Sequence, residues 1–136
     1  MLSTMSTVLL IIGSTFIFLA ALFHIYVFFL ESVAWSKSST WKIFGVKSQA
    51  DADIIKPMAF NQGFYNVFLG LGAGIGLVLL ASNYCAGIAL ILMGAGSMVL
   101  AGLVLFISAP RSRRSALLQA VPPLIGIVLV LLSFAV

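Results

Sequence analysis

A chain of 136 residues that is 62% hydrophobic and 7% charged, with a mean hydropathy of +1.25, has too few polar side chains to face water on every side. Its net charge of +4 and pI near 9.7 come from seven Lys and Arg against three Asp and Glu, all confined to residues 31–56 and 111–114. Basic residues flanking long apolar stretches mark membrane topology and anionic-lipid contact, so the lipid bilayer is the expected partner and nucleic acid is not.

Barrel strands of about 9–11 residues are too short to account for the uncharged runs, which leaves helices, and the chain reads as one all-α membrane domain. The first run predicts a span over 6–32, and with no basic region ahead of it this helix is expected to be retained as no cleaved signal. Residues 36–56 are the one sizeable extramembrane segment. Trp35, Trp41 and Phe44 are expected to anchor it at the headgroup level, with Lys42 and Lys47 reaching outward to phosphates. Ser48-Gln-Ala-Asp51 has the form of a helix N-cap with an acid in the first turn, predicting a short surface helix that stops at Pro57, where the second span starts. Residues 57–110 hold two spans, 57–81 and 85–108, divided at the polar cluster Ser82-Asn83-Tyr84. Gly70-xxx-Gly74 and Gly72-xxx-Gly76, with Gly87, Gly94, Gly96 and Gly102 on the next helix, predict close packing between helices, and the same spacing would serve a homo-oligomer face. A fourth span covers 115–135.

Four spans put the first and third connections on one side. Those connections carry all seven basic residues, so the positive-inside rule predicts a four-transmembrane-helix bundle, N-out and C-out, in the inner (plasma) membrane. Cys85 is the only cysteine and has no partner for a disulfide or a metal site.

Seven polar side chains are more than the hydrophobic pattern needs: His24, Glu31, Asn61, Gln62, Tyr65, Asn66 and Gln119. An acid at a helix centre costs about 2.5–3.5 kcal/mol, so an ionisable group within a span is by default a site hypothesis. Helical rise places Glu31 at the charged boundary, Asn61, Gln62 and Gln119 about one turn in, and His24 and Asn66 roughly 12–14 Å deep. His24 and Glu31, seven apart, share a helix face, as do Gln62 with Asn66 and Asn61 with Tyr65. If three helices converge there, Glu31 can accept from Asn61 or Gln62, and His24 can pair with Asn66 or the Tyr65 hydroxyl, forming a polar pocket in the cytoplasmic half. Pro122 and Pro123, one turn beyond Gln119, free backbone carbonyls that either join the pocket or merely kink the helix. The plainer readings are a Glu31 that snorkels to Lys37 or Lys56, a neutral buried His24, and amides acting as interhelical glue. One His with one Glu is a weak metal set, so no metal is expected, and no cofactor is indicated.

The strings His24-Ile-Tyr-Val-Phe-Phe-Leu-Glu31, Trp35, Phe44-Gly45, Asn61-Gln62-Gly63-Phe-Tyr65-Asn66, and Gln119 with Pro122 resemble a bacterial family of small integral membrane proteins catalogued as domain of unknown function 1304. The resemblance covers nearly the whole length, and Asn-Gln-Gly-x-Tyr-Asn is its specific part. Where the family pattern often has Gln-Gly before the last proline, this chain has Gln119-Ala120-Val121. The resemblance implies a shared pocket and brings no activity with it.

Three functional readings stand at this point. The first is an intramembrane site for a small amphiphile, lipid or quinone, with His24 and Glu31 exchanging protons and the amides orienting the guest. The second is an accessory subunit of a larger membrane complex. The third is a proton-coupled small-molecule transporter, against which Glu31 lies at the edge of its span and the basic residues forbid inverted pairing. An enzyme acting on a lipid, with His24 as general base, needs a substrate proton within about 2.6–3.2 Å, which sequence does not show.

Overall fold

The computed structural model describes residues 3–136, and within them the chain is helical from end to end, with no strand. Helix α1 (Thr4–Phe28) is capped by Ser3, whose hydroxyl oxygen accepts from the Ser6 amide at 3.0 Å. It continues into a π-helical turn, Phe29–Val33, closed by the Ala34 amide on the Phe29 carbonyl at 2.9 Å. A short helix α2 (Ser38–Trp41) and a tight turn (Lys42–Phe44) follow, ending at Gly45, whose φ of 79° lies in the left-handed region that glycine enters without strain. Helices α3 (Gln49–Leu79), α4 (Tyr84–Ser108) and α5 (Arg113–Leu132) complete the chain.

With the π turn counted in the first and the tight turn at Pro110 in the last, four helical stretches of 30, 31, 25 and 23 residues are long and apolar enough to cross a membrane. They run alternately up and down in a ring, α1 against α3, α3 against α4, α4 against α5 and α5 back against α1. One end of the bundle carries every charged residue and the connections 34–48 and 109–112. The other carries the termini and the turn at 80–83, where Asn83 caps α4 by accepting from the Ala86 amide at 3.1 Å.

Three sequence expectations are corrected here. Pro57 does not open a helix, because α3 starts at Ser48, which accepts from the Asp51 amide at 3.1 Å, and runs through the proline without a break. The missing N–H leaves one carbonyl, that of Asp53, without its helical donor, a local loss that a long packed helix tolerates. Trp35 and Trp41 are not surface anchors. They are 5% and 4% exposed, packed with Ala52 and Ala59 into a second small core, and the Trp35 indole donates to the Ala52 carbonyl at 2.9 Å. The loop therefore folds onto the start of α3, helped by Lys56 donating to Ser36 Oγ at 3.2 Å.

The third correction concerns glycine register. A β-carbon at Gly76 would meet the Ile91 nitrogen at 2.8 Å, one at Gly94 the Ala73 nitrogen at 2.7 Å, and one at Gly70 the Ala21 carbonyl oxygen at 2.9 Å. Gly72, Gly74 and Gly96 meet nothing within 4 Å. The buried small residues on α3 thus follow Gly63, Gly70, Ala73 and Gly76, the inward face, and each four-residue pair anticipated from sequence has one member looking outward.

Packing is uneven along the bundle axis. Toward the terminal end, Ile17, Ala20, Ala21, Ala73, Ile91, Ala95, Met98 and Val130 fill the centre. Toward the charged end the four helices surround a cavity.

Candidate functional site

The cavity measures about 790 Å³ and takes side chains from all four membrane helices, with Lys42, Ile43, Phe44 and Gly45 of the connecting loop over its charged end. The polar groups of its floor are His24 and, about two helical turns nearer the charged end, Glu31 with Asn66. The walls are apolar, including Phe23, Val27, Leu30, Leu69, Ala101 and Leu105. The rim carries Lys42 and Arg111 with Ser108, Ser112 and Ser115.

Local structure explains how the floor is held. Glu31 sits in the π turn and is 8% exposed, because Gly63 on α3 lets the helices touch: a β-carbon there would collide with Ser32 Oγ and stand 3.2 Å from the Glu31 β-carbon. Ser32 ties the same crossing by donating to the Phe60 carbonyl at 2.8 Å. Such π turns interrupt the helical ladder and recur where a helix must aim a side chain at a site. Asn66 donates to Glu31 Oε2 at 2.8 Å and to the Gln62 carbonyl at 3.2 Å. His24, 1% exposed, directs Nδ1 to the Ala20 carbonyl at 2.9 Å and meets the Phe23 ring edge-on.

Of the seven side chains singled out from sequence, His24, Glu31, Gln62, Asn66 and Gln119 line this cavity. Asn61 and Tyr65 do not. Both are exposed on the opposite side of α3, with Tyr65 55% accessible, because one residue along a helix turns the side chain by about 100°. The pairing also differs from the expected one. Glu31 accepts from Asn66, where Asn61 or Gln62 was anticipated, and His24 pairs with its own helix backbone. A Glu31 snorkelling toward Lys37 or Lys56 is set aside by its burial against Asn66 and by Lys56 bonding Ser36 instead.

Sequence reasoning missed Tyr26, Lys42, Ser108, Arg111, Ser112 and Ser115 as lining residues. The serines gave no periodic signal, since Ser108 ends α4, Ser112 lies in the turn after it and Ser115 is on α5. On sequence alone Lys42 and Arg111 read as topology markers and anionic-lipid contacts, with Lys42 reaching outward to phosphates. Pro122 and Pro123 leave the carbonyls of Leu118 and Gln119 without helical donors, and both of those residues line the cavity. Leu118, 56% exposed, also lines a shallow groove with Arg114, Leu117, Val121 and Pro122, so its side chain stands between the cavity and the outer surface of α5. Among the described residues no group of three His, Cys, Asp or Glu side chains is placed to hold a metal ion.

Four helices long and apolar enough to cross a membrane fit a multi-pass membrane protein, and toward their charged end they enclose a cavity with a polar floor. Residues 18–131 match the family described as "Protein of unknown function (DUF1304)", and the chain belongs to it. No curated protein and no solved structure matches the chain.

Proposed function

We propose that this protein lies in the inner (plasma) membrane, with its charged end in the cytoplasm and both termini outside, and that its cavity binds a small amphiphile, a single-chain lipid or a quinone-type molecule, taken from the inner leaflet. One observation carries this reading: about 790 Å³ of space, mostly apolar in its walls, lined by His24 and by the hydrogen-bonded pair Glu31 and Asn66. Pockets of this size with few, well-placed polar groups are the usual form of small-molecule sites. The seven basic residues at the charged end support the orientation. Leu118 between cavity and lipid supports lateral access.

Ala101 is the smallest side chain among the apolar walls named above, which makes it the place to fill. Native mass spectrometry of the protein released from its own membrane should show a bound lipid-sized adduct, and Ala101→Phe should remove it while leaving the helical content unchanged. Adducts identical in mass and occupancy in both proteins would sink the reading.

A second reading, an accessory subunit of a larger membrane complex, has an observation of its own. Gly72, Gly74 and Gly96 face outward with nothing within 4 Å, a surface on which another helix could approach closely. Gentle-detergent purification that recovers a stoichiometric partner, lost on Gly74→Leu, favours this assignment. A particle containing only this chain counts against it.

A further inference from the structure

Resting on the reading of the cavity as an amphiphile site, we infer that its guest presents a neutral hydrogen-bond donor, a hydroxyl on an apolar body such as a long-chain alcohol or a quinol, to the acceptors of the floor. The inference comes from an inventory of hydrogens. In neutral imidazole only one nitrogen carries a proton, and a carbonyl oxygen can only accept, so the bond to Ala20 places that proton on Nδ1. Nε2 is then a lone pair with no protein partner among the described residues, on a side chain that lines the cavity and is 1% exposed. The Asn66 amide nitrogen faces two acceptors, Glu31 Oε2 and the Gln62 carbonyl, which fixes the orientation of the amide and commits both of its hydrogens.

What the floor has left over is therefore two acceptors, His24 Nε2 and Asn66 Oδ1. An acceptor that faces a mostly apolar cavity gains from a donor, so a guest that donates is bound better than one of equal shape that cannot. A carbonyl-bearing guest, an oxidised quinone included, offers only more acceptors. An ammonium would satisfy the floor, but Lys42 and Arg111 line the same cavity, and their like charges disfavour a cation within it. A neutral hydroxyl meets both conditions.

The test is competition in phosphatidylcholine nanodiscs, with dodecanol and dodecyl methyl ether offered together to the full chain and the bound ratio read by native mass spectrometry. The alcohol should win by about threefold to tenfold, the ratio corresponding to one neutral hydrogen bond. His24→Asn keeps an amide hydrogen for Ala20 but has no atom at Nε2, and should lower the ratio. Tyr65→Phe, which removes an exposed hydroxyl on the other side of α3, should leave it unchanged. Equal binding of alcohol and ether, both excluded by Ala101→Phe, overturns the donor inference while the amphiphile site stands. Binding of dodecylammonium above the alcohol also overturns it. Probes that bind no better to the wild-type chain than to Ala101→Phe overturn the amphiphile site itself.

Discussion

Both hydrogens of the Asn66 amide are used within the protein, so the side chain holds Glu31 and closes a turn of its own helix at once. Asn66→Leu strands a buried carboxyl group, and the loss of a hydrogen bond to such a group is worth about 1.5–3 kcal/mol. Adding Glu31→Leu to that variant removes the stranded group and should restore most of the stability, since replacing both partners by apolar groups is nearly neutral. Thermal unfolding of the four proteins in detergent completes the double-mutant cycle. Additive losses would mean that the contact contributes nothing of its own. His24, Glu31 and Asn66 could be singled out from sequence because polar groups in an apolar run stand out by type alone. Their pairing could not, because one residue of helical rotation decides whether an amide faces a cavity or lipid, and it separated Asn66 from Tyr65.

Among the elements, α3 shows why small residues identify a packed helix more easily than its packed face. Nine glycines on α3 and α4 announce close approach, yet Gly74 looks outward while Gly76 touches α4 backbone. Gly76→Ala places a β-carbon 2.8 Å from the Ile91 nitrogen and should cost about 1–3 kcal/mol of overpacking. Gly74→Ala enters open space and should stay within about 0.5 kcal/mol of wild type, or gain slightly from better helix propensity. Equal losses in the two variants by thermal unfolding would contradict the observed register. The same limit applies at Pro57. The Ser48 cap was legible from its spacing, but whether the proline ends a helix depends on what is packed around it. Trp35 and Trp41 were misassigned for a related reason: their side chains suit both a membrane interface and a small core, and the loop's fold onto Ala52 and Ala59 decides between them.

For the whole molecule, helix number could be read directly, because ten charged residues in two blocks divide the chain into runs of membrane-spanning length. The proposed orientation rests on the sign of those blocks and is open to a simple check. Cys85 is exposed beside the turn at the terminal end and is the only cysteine. A membrane-impermeant maleimide should label it in intact cells, and adding Ser112→Cys in a Cys85→Ala background should give a protein labelled only after permeabilisation. The reverse pattern would invert the bundle.

The uneven packing along the axis has one more consequence. Ile17, Ala73, Ala95, Met98 and Val130, at most 0% exposed, form a plug that a guest on the floor cannot pass without separating helices whose backbones touch at Gly13, Gly76 and Gly94. Topologically the space is a cul-de-sac and no conduit: whatever goes in leaves by the route it took, and proteoliposomes carrying the protein should hold an ion gradient as tightly as empty ones.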